Sequence, residues 1–316
     1  MEFIDLKAQY HVLKEEIDVN ISSVLEDADF IMGKQVREFE EKLASYVGAK
    51  YAVGCSSGTD ALQLIYMAYG IGRGDVVFCP DMTFIASVEP ACMLGAEAVF
   101  CDIEKDSYNI SPDSLERQIR AVLAQGKGKP KAVVAVDFIG NPADYDRLHE
   151  ITDRYGLVLI EDAAQSLGSF CNGRHLGRYG DIGSFSFSAP EIITTGQGGA
   201  LITDDEKLFQ NIKRIRDFGR DQGGSDHYLV KGWNFKFTDI QAVIGLEQMK
   251  KLPDRVMRKK EMGRLYEKEL SGIPGVTLID TDLNQTAPWF FDILCDDRAG
   301  LIAYLKERNI GSREFY

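Results

Sequence analysis

Between residues 51 and 204 the chain alternates two hydrophobic patterns. Short apolar, β-branched runs, AVVAVDFIG (132–140), LVLIEDAAQ (157–165) and GSFSFS (183–188), have the length and composition of buried strands. Between them lie stretches whose apolar residues recur at helical spacing. Such alternation predicts an α/β domain around a largely parallel sheet, because parallel neighbours need a crossover that a helix supplies. The apolar runs end in Asp, Gly, Ser or Thr. In sheets of this kind ligands gather beyond the carboxyl ends of the strands, so chemistry is sought there.

Outside this stretch the opening segment has helical spacing, and an acidic helix at 36–46 leads into GAKYAVGCSSGTDALQL. After residue 204 follow a charged helix, EKLFQNIKRIRDFG, a glycine-rich aromatic loop at 219–237, and a helix DIQAVIGLEQMKKL at 239–252. Pro253 marks the expected end of that helix. Beyond residue 255 a charged helix, a GIPGV turn and APWFFDILCDD predict an α+β lobe. The expected division is a large domain over 1–250, with the N-terminal helix packing on the smaller one, and a partial small domain over 251–316. There is no internal repeat and no low-complexity linker.

Composition narrows the function classes. With 316 residues, 45% hydrophobic and 27% charged, the chain can bury a large core. No apolar run approaches the roughly 18 residues that span a bilayer, and the N-terminus lacks the apolar core of a signal peptide, so the expected location is the cytoplasm. A net charge of −13 excludes nucleic acid as the main partner, which would need a basic footprint. Small anions stay open as ligands, since backbone N–H groups at a helix N-terminus hold them whatever the net charge. Six cysteines without CxxC spacing read as reduced, buried thiols, and four dispersed histidines give no metal-ligand pattern, so no metal is expected.

Four segments are candidates for chemistry. In CSSGTDAL, Ser57, Gly58 and Thr59 stand directly before a helical run, either as phosphate donors or as a simple N-cap. Phe84, in CPDMTFIAS (79–87), could stack on a planar ring or serve as core. Asp162 ends a continuous apolar strand, where a carboxylate is costly unless paired; a pyridinium N–H or a helix cap would pair it. Gln165 lies one helical turn further on. The fourth is SFSFSAPEIITTGQGGALITDD, residues 184–205. GQGGA at 196–200 is wrongly spaced and placed for a dinucleotide fingerprint.

Together with GTDAL, PDMTF, EDAAQS and GWNFKFTDIQA, this last segment resembles the DegT/DnrJ/StrS group of sugar aminotransferases, in the aspartate aminotransferase superfamily. The resemblance implies the pyridoxal-phosphate (PLP) fold type I: a three-layer α-β-α domain with a mostly parallel mixed sheet, plus a smaller, truncated α+β domain. It implies transfer of an amino group from an amino acid, usually glutamate, to a keto sugar nucleotide. By the same resemblance Gly58 and Thr59 cradle the cofactor phosphate beside Ser57, and Ser186 adds a further contact. Phe84 stacks on the ring, Asp162 pairs with its nitrogen, and Gln165 lies beside its hydroxyl. Asn234 reaches the phosphate of a neighbouring subunit, which makes a homodimer the expected assembly.

One position departs from the family. Where the family has its Schiff-base lysine, this chain has Glu191, and no lysine lies between residues 183 and 206. A carboxylate cannot form an imine, although it can move a proton. The cofactor is therefore expected to bind without a covalent link, as PLP, as pyridoxamine phosphate or as an external aldimine. An engineered replacement, a natural member with altered chemistry and a non-catalytic relative all fit this residue. Some relatives with histidine here resemble 3-dehydratases of keto-deoxy sugars. The chain also ends, at NIGSREFY, where the family usually continues through the rest of its small domain. His227, Tyr228 and Lys231, before Asn234, are either nucleotide contacts or a solvated loop.

Overall fold

A computed structural model describes residues 4–315. Helices α1 (Leu6–Asp27) and α2 (Lys34–Val47) precede β1 (Tyr51–Cys55), α3 (Gly58–Ala68), β2 (Asp75–Pro80), α4 (Glu89–Met93) and β3 (Glu97–Cys101). Then come α5 (Pro112–Gln125), β4 (Lys129–Val136), α6 (Tyr145–Tyr155), β5 (Val158–Asp162) and a small hairpin, β6 (Phe170–Cys171) with β7 (Arg174–His175). The large unit closes with β8 (Ile182–Ser186), β9 (Gly199–Thr203), α7 (Glu206–Arg216) and α8 (Asp239–Lys250). A long helix α9 (Leu252–Leu270) leads to the strands β10 (Val276–Leu278) and β11 (Ile293–Cys295) and to α10 (Arg298–Glu307).

Seven strands form the main sheet in the order β1-β9-β8-β5-β4-β2-β3. Only β9 runs against its neighbours; β8, β5, β4, β2 and β3 pair in parallel. Both faces are covered, as the strand composition requires. Along β4, Ala132, Val134 and Val136 join α3 and α7 in one core, whereas Val133 and Ala135 join α5 and α6 in another. That two-residue alternation places the helical layers on opposite sides. A third apolar cluster joins α2 and α8, through Phe39, Leu43 and Ala242, to Phe185 and Phe187. The α/β expectation thus becomes a three-layer domain with a mixed, mostly parallel sheet.

Two expectations need correction. Pro253 does not simply end the helix at 239–252: α8 stops at Lys250, and Pro253 sits in the first turn of α9, where its missing N–H costs nothing. The thiols are all free, but only Cys55, Cys79 and Cys101 are buried; Cys171 and Cys295 are half-buried, and Cys92 is exposed on the short helix α4. No helix among the described residues is long and apolar enough to cross a membrane.

After β10 the chain doubles back over the large unit as a strap. Phe170 N donates to Gln285 O at 3.1 Å, Ala287 N to Ser169 Oγ at 2.9 Å, and Trp289 N to Ile139 O at 3.0 Å. Gly140 makes this approach feasible. A Cβ there would lie 2.8 Å from the Ala287 carbonyl oxygen, and the residue's φ is +93°.

Candidate active site

The carboxyl ends of β1, β8, β5 and β4 meet at one edge of the sheet, with the start of β9 between β1 and β8. Helix α3 opens there. Ser57 caps it, accepting from Asp60 N at 3.0 Å and donating to Asp60 Oδ2 at 2.8 Å, while Ser56 Oγ donates to the same carboxylate oxygen at 2.6 Å. The Ser57 hydroxyl is thus engaged as a cap. The first-turn N–H groups of Gly58 and Thr59 lie at the positive end of the helix, without helical acceptors. A Cβ on Gly58 would meet Ser186 Cβ at 2.9 Å, so glycine is what lets the helix start touch the end of β8. Gly58, Thr59 and Ser186 form one small, donor-rich corner.

Asp162, at the end of β5, is 6% exposed. Its Oδ2 accepts from Ser87 Oγ at 2.7 Å, and its Oδ1 from Ala164 N at 3.3 Å. Ser87 is in turn 2.8 Å from Thr83 Oγ1, and its carbonyl accepts from Tyr66. Burial raises the Asp162 pKa above the ordinary carboxylate value; the Ser87 hydrogen bond opposes that shift. A cationic N–H donor at the open side would hold the group ionised. Gln165 is buried, and its Oε1 accepts from Ile139 N at 2.7 Å. Ile139 has φ +49°, uncommon for a β-branched residue, and links Gln165 on one side to Trp289 on the other.

Glu191 follows β8 and is 8% exposed. Ser188 Oγ donates to its Oε1 at 3.1 Å, whereas Oε2 is buried without a hydrogen-bond partner. Burial lifts its pKa to about 8; the hydroxyls of Ser186 and Ser188 and the Trp289 indole favour ionisation, and the charge of Asp162 opposes it. The indole Nε1 makes no hydrogen bond of normal geometry, so it acts on the carboxyl as a nearby dipole. The shift favours the protonated form near neutrality.

The remaining sequence candidates lie further out. Phe84 is 54% exposed, at the turn after β2. Asn234 is exposed and bridges to Asp217, one residue before Phe235, whose carbonyl accepts from Ser56 N. His227, Tyr228 and Lys231 are exposed too. Among the described residues no cluster of three His, Cys, Asp or Glu side chains could hold a metal. Sequence reasoning missed Ser87, Ile139 and Trp289. Ser87 stood within the segment already singled out, and Trp289 in the aromatic run APWFF.

A family model, the DegT/DnrJ/EryC1/StrS aminotransferase family, matches residues 11–316. The chain belongs to this family. It is 33% identical to UDP-2-acetamido-2-deoxy-3-oxo-D-glucuronate aminotransferase of Pseudomonas aeruginosa, over 100% of this chain and 86% of that protein. A crystal structure of a DegT DnrJ EryC1 StrS aminotransferase from Brucella abortus superimposes with a TM-score of 0.96 at 34% identity, covering 100% of this chain and 84% of that one. GDP-4-keto-6-deoxymannose-3-dehydratase, solved with trapped PLP and glutamate, superimposes with a TM-score of 0.85 at 25% identity, covering 95% and 83%.

Proposed function

We propose that this chain is a sugar-nucleotide aminotransferase whose PLP is held entirely by non-covalent contacts. The observation that carries this reading is the pairing of a buried, strand-end Asp162 with a donor-rich corner at the start of α3, on the same sheet edge. The residues present fit the cofactor's phosphate, ring nitrogen and hydroxyl: Gly58, Thr59 and Ser186 hold the first, Asp162 the second and Gln165 the third. Phe84 supplies the flat face against the ring. They do not fit a covalent tether, because Glu191 occupies its place. When bound, the cofactor supplies an electron sink that makes the C–H bond beside a bound amine acidic.

The protein's share is binding and proton handling. Ionised Asp162 keeps the ring nitrogen protonated, with Ser87 fixing the carboxylate's orientation. Glu191 sits where the family lysine moves protons, and its pKa of about 8 suits it to give and take a proton near neutrality. General acid–base help of this kind contributes about 10²- to 10⁴-fold. A glutamate-type donor and a nucleotide-linked keto sugar are the substrates. Two copies complete each site, with Asn234 directed at the partner's phosphate corner; the exposed Leu229, Val230 and Trp233 beside it form an apolar surface suited to burial against a second copy.

A second reading, removal of a sugar hydroxyl as water, is favoured by the same residue: a dehydratase needs one proton-transfer group and no tether. The products separate the two, since transamination forms a 2-oxo acid and an amino sugar whereas dehydration leaves the sugar without new nitrogen. Binding itself is tested by absorbance with PLP followed by borohydride. The expected result is a saturable cofactor band with no label on the protein. Glu191→Lys should convert it to a single phosphopyridoxyl label at position 191, read by mass spectrometry; label elsewhere, or none, would reject the assignment of this position.

A further inference from the structure

β1 is an end strand of the main sheet, with β9 as its one strand neighbour. The peptide groups on its free edge need partners from elsewhere. At Gly54, just before the chain turns into α3, side chains supply them. Glu40, from α2, accepts the Gly54 N–H on Oε1 at 2.8 Å, and Arg216, the last residue of α7, donates from Nη1 to the Gly54 carbonyl at 2.7 Å. Arg216 Nη1 also lies 2.5 Å from Glu40 Oε1, so the three residues close a ring of hydrogen bonds. Arg216 is 2% exposed, which leaves its guanidinium closed to any ligand. A buried ion pair seldom stabilises a fold more than apolar packing of the same volume would, so its use here points to placement.

The backbone of Arg216 extends the brace. Its carbonyl accepts from Phe235 N at 3.0 Å, and the Phe235 carbonyl accepts from Ser56 N at 3.1 Å, two residues beyond Gly54. Trp233 N donates to Ile215 O at 3.0 Å and Phe218 N to Trp233 O at 2.9 Å, so residues 215–218 and 233–235 form a short ribbon that carries Asn234. We propose that Arg216, paired with Glu40, is a positioning residue for the phosphate corner: it holds the chain at Gly54 and, through Phe235, at Ser56, and so fixes the line on which it enters Ser57, Gly58 and Thr59. The proposal rests on the reading of that corner as the holder of the cofactor phosphate. A shift of this line moves the first N–H groups of α3 against Ser186, where Gly58 has no room to spare.

Arg216→Met alone would leave Glu40 buried and unpaired, so the test combines it with Glu40→Gln, which removes both charges and leaves the net charge unchanged. Binding of pyridoxamine phosphate and of pyridoxamine, the same ring without the phosphate, is followed by protein fluorescence. The double variant should bind pyridoxamine phosphate about 10- to 100-fold more weakly, the size of one hydrogen bond to a charged group. Pyridoxamine should bind as it does to the parent, which also reports a folded ring site. The loss should persist in an Asn234→Ala background, because the brace acts on the chain's own corner. Glu40→Gln alone, which keeps an acceptor for both bonds, should show little of it. An unchanged affinity for pyridoxamine phosphate in the double variant, an equal loss for pyridoxamine, a loss that vanishes in Asn234→Ala, or a full loss in Glu40→Gln alone overturns the proposal. A parent that binds the two compounds equally rejects the phosphate corner itself, and with it the site that Arg216 is said to place.

Discussion

Two groups of buried acids flank the end of β5, and the protein treats them differently. Behind the strand, Asp137 and Glu161 are both fully buried. Glu161 accepts backbone N–H groups from Gly177, from Tyr179 at 2.5 Å and from Gly180 at 2.8 Å. Asp137 accepts from Tyr145 at 2.6 Å and Ser166 at 2.9 Å, and burial plus the charge of Glu161 drives its pKa far up. Burial raises Glu161 as well, but its three backbone N–H donors oppose that shift, so a proton shared by the pair is expected on Asp137. In front of the strand, Glu191 has one hydroxyl donor and one unpartnered oxygen. A buried carboxyl whose every oxygen is matched serves the fold; one left half-matched at a strand-end cleft is available for chemistry.

The most damaging way to test this contrast is Glu161→Gln. It leaves backbone amides facing an NH2 group, and we expect a loss of about 3 kcal/mol in urea unfolding. Next is Glu191→Gln, expected to change stability only with pH. The folded pKa of Glu191, about 8, lies above that of an unfolded glutamate. Its contribution is thus fully present below about pH 4.5 and is lost as pH rises through 8. Parent and variant should nearly coincide near pH 4.5, the variant should be more stable by about 2 kcal/mol at pH 6, and the gap should go on widening up to pH 8. A pH-independent difference would mean that Glu191 is not a protonated, buried acid. The smallest effect is expected for Asp137→Asn, which mimics the acid already present and should cost about 1 kcal/mol or less. A cost equal to that of Glu161→Gln would reverse the proton assignment.

The same division governs what the sequence revealed. The layers, the strand ends, the α3 start and Asp162 were legible because each rests on a local pattern: an apolar run, a turn of small residues, a carboxylate where hydrophobicity should continue. The family resemblance added the role proposed for position 191. What stayed hidden came from far along the chain. Ser87 meets Asp162 across 75 residues, and Trp289 comes near Glu191 only because the strap folds back over Ile139. Pro253 was misread for the opposite reason, a correct local rule applied one helix too early.

The left-handed turn at Ile139 carries a consequence for how the molecule moves. A β-branched residue held there stores roughly 1–2 kcal/mol, and its N–H and C=O are held by Gln165 and by Trp289. Those two bonds latch a sprung peptide. Whatever draws the Gln165 amide toward a guest loosens one side of the latch and lets the turn relax, which weakens the hold on the far-end segment. Occupation of the pocket at Gln165 is thus expected to be felt at Trp289, through the one turn that both hold.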